Sequence, residues 1–525
     1  MKSVYFKYFF VIFAVLIMIF AIIKIKTDEK IKNTKVENQV ETQEINTDSE
    51  LKLGIASFDS INPILSKNKN VQDISKLIFE PLFTLSSDYK LENCLAKEWA
   101  RQDDTTYLIK LNDNVKWSDG SEFTAEDVKF TIDSIKSNDS IYKSNVEHIY
   151  SVEVVDNSMV RITLDQKVPF FEYNLTFPIL SSQYYSDKEF SADIVPLGTG
   201  LYKVGEVQTS SLILEKNEYN SNSNDLKISK ITITIYASLG ELYNGFKTGS
   251  VDIISTQNSS LKEYIGTIGY NSKEIKGRVH DFIAFNTQNP MLSQLSVRRA
   301  ICYSIDKTNV VASVYGENYY TSSFPLDYGN WVYQGKDASI GYNLDQAKRI
   351  LLDDGWTYSY RHWQKYVNYQ RQRLILNFVI KSDDENQVKV GENIKAQLEN
   401  QGIRINLIKA NSALYQTYLN NKNYDMILCS MNLSVSPDLS TFFGENNLAN
   451  YSNDEVTNIL NDIYNTTDEN KIKESYDRLG EIYKTDLPYL SLYNNKYIVA
   501  YSSSLVGTVD PNWFYLYYNI KDWHK

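Results

Sequence analysis

The sequence predicts an α/β protein of more than one lobe, carried behind a membrane-spanning segment. Three observations predict this. The chain has 525 residues, too long for one ordinary core, and a length prior gives roughly three domains or lobes. From Leu374 to Cys429 short apolar runs alternate with helical ones, the order expected of an α/β lobe with a largely parallel sheet. Near the N-terminus, Phe9 to Ile23 is an unbroken apolar run.

Lys2 and Lys7 precede that run, and Lys24 and Lys26 close it. With Val4 to Phe6 and Tyr8 counted and Lys7 snorkelling, about 20 residues suffice to span a bilayer at ~1.5 Å per residue. A cleaved signal peptide is the competing reading. The sequence after the run, Lys24-Ile25-Lys26-Thr27-Asp28, has no small-x-small cleavage pattern, and the first cysteine is Cys94, so no lipoprotein signal is present. Residues 1–26 therefore read as an uncleaved anchor, whose orientation the flanking lysines leave open. Residues 27–50 are polar, acid-rich and free of aromatics, a composition that buries too little apolar area to order itself, and they read as a flexible tether.

The body opens with Leu51 to Ala56, alternating as a strand. Ile74, Leu77, Ile78 and Leu82, after Asp73, are apolar at helical spacing. Tyr107 to Leu111 reads as a strand and Ser118-Asp119-Gly120-Ser121 as a turn. Thr124-Ala125-Glu126-Asp127 has the capping-box pattern ahead of a helix through Val128, Phe130, Ile132 and Ile135. Val152 to Val155 and Val160 to Leu164 flank Asp156-Asn157 as a hairpin. The lone G-x-G of Gly198 and Gly200 lacks Walker spacing and reads as a tight turn rather than a phosphate loop. Lys230 to Tyr236 is a strand, Leu239 to Lys247 a helix, and Val251 to Ile254 a short strand.

From Phe282 the texture changes. Phe282 to Asn286 is a strand, Val297 to Ile305 a helix, and Leu344 to Leu352 another, with Gly355 just beyond it. The β–α alternation then runs through Leu374 to Ile380, a helix over Ile394 and Leu398, Ile403 to Ile408, a helix at Leu414 to Leu419, and Met426 to Cys429. Residues from Ser440 are mostly helical, and strands return at Tyr489 to Tyr493 and Tyr497 to Tyr501. Trp356 to Arg373 mixes basic and aromatic residues, as single-stranded nucleic-acid binders do. A net charge of −11 opposes a nucleic-acid partner, and an exposed hairpin is the preferred reading.

Composition excludes more than it assigns. The 3 cysteines and 4 histidines are scattered, so neither a disulfide framework, a zinc site nor another metal or cofactor site is expected. G-x-S-x-G and H-E-x-x-H are absent and no catalytic arrangement emerges. The 40 tyrosines and 7 tryptophans suit clefts that hold organic ligands, although a codon bias toward Tyr, Asn, Lys and Ile accounts for them equally.

One set of motifs is more specific. Ala96-Lys97-Glu98-Trp99, Asp103, Tyr107, Leu111, Val115-Lys116-Trp117-Ser118-Asp119-Gly120 and Thr124 to Val128 resemble the signature of extracellular solute-binding protein family 5, the receptors of peptide and nickel ABC importers. Weaker matches follow in order, at Pro196 to Val204, Phe246 to Ile253, Phe285 to Thr287, Val297 to Ile301 with Ile305 to Lys307, Ala347 to Trp356 and Leu487 to Leu490. The resemblance spans about residues 50–515. It implies a two-lobed clamp of the periplasmic-binding-protein type II: a discontinuous first lobe (51–281 plus 491–525, with a subdomain near 76–190) and a second lobe (282–490). It also implies a monomeric receptor without catalysis, which closes over a ligand and delivers it to a membrane permease on the extracytoplasmic face. Most signature residues are expected to be structural, with Trp99 and Trp117 in a core.

The family's ligand segment corresponds to Met426 to Asp438, where a buried strand opens into a loop of small residues. Peptide-binding members carry there a pattern like W-x-x-D-x-x-D-P, whose first Asp pairs with the peptide ammonium group. That Asp falls on Ser434 or Leu433 in this chain, and the tryptophan on Met431 or Ser430, so both are missing. The resemblance makes Met431, Asn432, Leu433, Ser434 and Asp438 the expected ligand-binding residues. A free peptide amine then needs another acid, of which Asp438 is nearest in sequence, or the ligand is blocked, longer or not a peptide. The readings are an oligopeptide receptor of an ABC importer, a receptor for another solute such as a nickel chelate or an oligosaccharide, and an extracellular peptide sensor or chaperone on the same fold.

Overall fold

The computed structural model describes residues 49–186, 188, 194–257, 261–266, 268–327, 329–333, 338 and 340–525. The expected anchor and nearly all of the expected tether lie outside the described residues. Among the described residues, no helix is long and apolar enough to cross a membrane.

One mixed sheet of eleven strands runs through the body. Its order is Arg404–Ala410, Ile375–Lys381, Met426–Asn432, Tyr270–Phe285, Tyr489–Ser502, Ile253–Thr256, Ser49–Ile55, Ile228–Ile235, Ser211–Lys216 and Tyr202–Val207, with Tyr319–Thr321 added beside Tyr489–Ser502. The two central strands are the longest, 16 and 14 residues. They pair antiparallel from Tyr270 opposite Ser502 to Ala284 opposite Tyr489. At one end Ile275 and Val499 pack into the core that contains Leu51, Leu53 and Ile231. At the other, Ile283, Leu490 and Leu492 pack into a second core with Phe378 and Leu428. The two strands thus cross between two separately cored regions, and the fold is a two-lobed mixed α/β clamp.

The sequence pattern breaks these strands into pieces for a physical reason. Asn494, Asn495 and Lys496 interrupt the apolar run, so Tyr489 to Tyr493 and Tyr497 to Tyr501 read as two strands where the structure has one. Likewise only the buried end of Tyr270–Phe285 carries the apolar signal. The ladder itself is irregular there, with register shifts between Lys276 and His280 and between Asp281 and Phe282. Asn495 fills the break. Its buried Oδ1 accepts from the Val279 amide at 3.0 Å, and a Cβ on Gly277 would lie 2.2 Å from that same oxygen.

In the second lobe the expected parallel sheet comprises three strands, Ile375–Lys381, Arg404–Ala410 and Met426–Asn432, linked by helices Glu385–Asn400 and Ser412–Asn421, while in the first lobe Ser49–Ile55 is parallel to both its neighbours. The next neighbour of Met426–Asn432, Tyr270–Phe285, is antiparallel, because the chain enters it from the other lobe rather than through a crossover helix.

A separate four-stranded antiparallel sheet, in the order Ala96–Arg101, Thr106–Leu111, Met159–Leu164 and Ile149–Asp156, packs on helix Ala125–Ser137. The capping box is present: the Thr124 amide donates to Asp127 Oδ2 at 2.8 Å. The same buried carboxylate accepts from Trp117 Nε1 at 3.3 Å and from the Ser182 amide at 2.7 Å. These signature residues are core fasteners. Gly198 and Gly200 serve close backbone approach rather than a turn, since a Cβ on Gly198 would lie 1.9 Å from the Ile78 carbonyl oxygen. Trp356 to Arg373 forms an exposed three-stranded ribbon pinned by the buried Trp356 and Trp363.

Candidate functional site

The lobes face each other across a cleft of about 430 Å³. One wall carries Trp99, Arg101, Phe170, Glu172 and Tyr173. The other carries Trp331, Tyr464 and Glu469. Trp99 comes from strand Ala96–Arg101, which pairs along one edge with Thr106–Leu111. Its indole stacks on Tyr107 at 6.2 Å and meets Phe83 edge-on at 6.4 Å, leaving the ring half-buried at the wall.

Phe170 stands just before the short 3-10 helix Phe171–Leu175 with φ +53°, a left-handed conformation costly for a bulky residue. The turn sets its ring edge-on to Tyr173 at 6.1 Å and, across the cleft, to Tyr464 at 5.9 Å. Trp331 bridges as well: its amide donates to the Asp88 carbonyl at 2.8 Å and its Nε1 to the Tyr173 hydroxyl at 3.0 Å. Three further contacts close the rim. They are the Lys90–Glu469 ion pair at 2.7 Å, Arg101 Nη1 to the Tyr464 carbonyl at 2.9 Å, and Lys167 Nζ to Asn465 Oδ1 at 2.8 Å.

Beside the crossing strands the lobes are joined differently. Arg278 is buried and donates from Nε to Asp327 Oδ1 at 2.8 Å and from Nη2 to the carbonyls of Leu433 (2.7 Å) and Ser434. Its guanidinium lies 4.9 Å from the ring centre of Phe514, which meets Tyr89 edge-on at 5.6 Å.

Around these centres the five residues expected as the ligand wall are distributed as follows. Met431 and Asn432 end the strand Met426–Asn432, half-buried and exposed respectively. Leu433 is buried, donates its amide to the Arg278 carbonyl at 2.9 Å, and with Ser434 caps the Arg278 guanidinium. Asp438 accepts from the Tyr464 hydroxyl at 2.6 Å and from the Ser440 amide and hydroxyl at 2.9 and 2.6 Å. None of the five lines the 430 Å³ cleft itself; Asp438 reaches it through Tyr464.

Two carboxyls near the lobe junction are displaced from the ordinary range. Burial pushes Glu172 up to about 7, against a smaller opposing pull from its own backbone and from Arg101. Burial likewise pushes Asp281 up to about 7, against a hydrogen bond from Ser430 and with repulsion from Asp384. The buried His280 is held down at about 4 by desolvation, its ring bonded to Asn494 Oδ1 at 3.0 Å and facing Ser491 Oγ at 3.2 Å. Among the described residues no group of three or more His, Cys, Asp or Glu side chains is arranged to hold a metal ion.

Trp99, expected in a core, packs its ring against the first-lobe core and also lines the cleft wall; Trp117 is fully buried as expected. Sequence reasoning missed Phe170, Glu172, Tyr173, Trp331 and Tyr464. The available signal was the run Phe170-Phe171-Glu172-Tyr173, in which one acid stands inside an aromatic cluster.

A two-lobed clamp with paired crossing strands and an aromatic cleft at the lobe junction defines the class of solute-binding receptors. The chain belongs to one family of that class: the model of the bacterial extracellular solute-binding proteins, family 5 Middle, matches residues 90–453. It is 24% identical over 464 residues to heme-binding protein A of Haemophilus influenzae, covering 81% of this chain and 83% of that protein. It is also 24% identical over 507 residues to the oligopeptide-binding protein AppA of Bacillus subtilis, covering 88% and 89%. The solved structure of HbpA2 from Haemophilus parasuis superposes with a TM-score of 0.76 at 20% identity, over 89% of this chain and 98% of that one.

Proposed function

We propose that the protein is the substrate-binding component of an ABC importer, which captures an oligopeptide between its lobes and hands it to a membrane permease. The observation that carries this reading is the aromatic cleft at the junction of two lobes connected by only two long strands. Such a connection allows rigid-body closure, and a ligand touching both walls binds the closed state better than the open one. The likeness to an oligopeptide-binding protein over 88% of the chain supports the choice of ligand class.

In this reading residues 51–281 with 491–525 move as one lobe and 282–490 as the other. Met431 and Asn432 at the strand end, with Leu433, Ser434 and Asp438 in the loop after it, position the second wall, through Arg278 on one side and Tyr464 on the other. Residues 1–26 anchor the receptor in the cell membrane with its body outside, which raises its effective concentration at the permease. It is a receptor with no catalytic step.

A cleft of about 430 Å³ also falls within the ~300–1,000 Å³ of small-molecule sites, which favours a short peptide or a compact organic solute as the second reading. One experiment tests these points. The full chain is recovered from the membrane fraction, denatured, and its released small molecules are identified by mass spectrometry. Peptides are expected; a heme, a metal chelate or a sugar in their place rejects the peptide reading, and recovery of the intact chain in the soluble fraction rejects the anchor.

A further inference from the structure

The ribbon over Trp356 to Arg373 carries a surface that ligand capture does not use. Its strands, Thr357–Ser359, His362–Val367 and Gln370–Arg373, are fixed to the second lobe by one face. On that face Trp363 is buried and its Nε1 donates to the Gln401 carbonyl at 2.7 Å, while Lys365 pairs with Asp354 at 3.1 Å. Side chains alternate along a strand, so the residues between these point the other way. There Tyr366 stands directly opposite Arg371, and Gln364 opposite Arg373.

This outer face is basic and aromatic throughout. No Asp or Glu occurs between Asp354 and Asp383. Arg361, Arg371 and Arg373 are exposed, and among the described residues nothing hydrogen-bonds to or ion-pairs with their side chains. Tyr366 is 67% exposed, and each connecting turn adds a tyrosine in open water, Tyr360 at 94% and Tyr369 at 103%. Both turns are held in left-handed backbone, with φ +50° and +64° at Tyr360 and Arg361 and +51° and +63° at Asn368 and Tyr369. Two-residue hairpin turns of this kind favour Asn and Gly, because a bulky residue is costly at positive φ. Tyrosines kept there against the backbone's preference point to a use outside the fold.

Guanidinium groups bind phosphate oxygens through paired hydrogen bonds, and tyrosine rings settle at the headgroup level of a bilayer. We propose that this ribbon is a docking surface for anionic phospholipid headgroups, with the three arginines on phosphates and the three tyrosines among the headgroups. The tyrosine tips stand at opposite ends of His362–Val367, roughly 20 Å apart at ~3.3 Å per residue, which suits an extended surface. Stacking of successive bases of a single strand needs rings side by side. The net charge of −11 opposes capture of a polyanion from solution, but a tethered body meets its own bilayer at high effective concentration. The tether read from residues 27–50 reaches at most about 80 Å, at ~3.3–3.6 Å per residue. The inference rests on the anchored-receptor reading and adds to it the face that the second lobe turns to the membrane.

The test is footprinting of the full chain by arginine- and tyrosine-selective modification, read by mass spectrometry. The chain is reconstituted into phosphatidylcholine vesicles with and without about 30% phosphatidylglycerol. On the anionic vesicles Arg371, Arg373, Tyr360 and Tyr369 are expected to react at least threefold more slowly than on the neutral ones. Their reactivity is expected to return in about 0.5 M salt, where screening confines charge attraction to a few Å. Tyr150, 77% exposed on the first lobe, is expected to react equally on both. Arg371→Glu combined with Arg373→Glu is expected to abolish the protection of the tyrosines. Equal reactivity of the ribbon on both vesicles overturns the docking surface, and that comparison needs no variant. Protection by a single-stranded oligonucleotide, or by a higher concentration of the chain itself, in place of anionic vesicles overturns it as well. A chain that washes off neutral vesicles yet is protected on anionic ones rejects the anchor and keeps the docking surface. A chain retained on both without protection keeps the anchor and rejects the surface.

Discussion

The two places where the lobes meet are built on opposite principles. Along the crossing strands the contacts are buried and fully satisfied, with Arg278 held by Asp327 and two carbonyls and with Asn495 plugging the ladder break. At the rim the contacts are exposed side chains: the Lys90–Glu469 pair leaves 43% and 48% of its side-chain surfaces in water, and Arg101 and Lys167 reach only a carbonyl and an amide. Buried, complementary groups resist separation because parting them leaves charges dry. Exposed pairs exchange for water at little cost. The first seam is built to hold and the second to part at little cost, and the aromatic cleft lies at the second.

The strongest way to break this contrast is Arg278→Ala. It strands Asp327 and two carbonyls, and a loss of about 3–5 kcal/mol in unfolding free energy is expected, measured by denaturant titration. A loss below about 1 kcal/mol, the range of an exposed pair, would erase the distinction between the seams.

The second effect sharpens the junction's pH dependence. The folded carboxyl of Asp281 is raised to about 7, from near 4 in the unfolded chain, so its ionised form opposes folding. Its contribution is fully favourable below about pH 4 and is lost as pH rises through 7. Asp281→Asn should therefore stabilise the protein at pH 8 by about 2–4 kcal/mol and leave it unchanged near pH 4. His280, one residue away, works in the other direction: held at about 4, it must stay neutral, and stability falls as pH drops from about 6.5 towards 4. Equal stabilisation by Asp281→Asn at both pH values would show that folding does not shift the carboxyl's pKa.

The smallest effect is expected at the rim. Lys90→Gln should change unfolding free energy by less than about 1 kcal/mol, and should weaken ligand binding by no more than about fivefold, through the closed-state population alone. A loss of 3 kcal/mol or more would make the rim a permanent seam as well.

Much of the fold was legible because it is local. The capping box at Thr124, the β–α order from Leu374 to Cys429 and the hairpin at Asp156-Asn157 each depend on residues a few positions apart, and each is present. The crossing strands were only half legible, since their polar middle is satisfied by partners such as Asn495 and Val279, 216 positions apart. The site was less legible still. Glu172 and Tyr464 face one cleft from nearly opposite parts of the chain, and Trp99 reads as core, which it is on one side, while its place on the cleft wall depends on the second lobe.

By itself the sequence determined the class: an acidic, two-lobed α/β receptor whose motifs, in order, are those of one solute-binding family. Periodicity, caps and turns carry that information because they act over one or two turns of chain. Only the tertiary structure decided where the charges end up. It bound the carbonyls of Leu433 and Ser434 to Arg278, set the Asp438 carboxylate against the Tyr464 hydroxyl, and placed Glu172 in a cleft wall among aromatic rings. Those outcomes turn on desolvation and on pairing between distant segments, which no stretch of sequence contains.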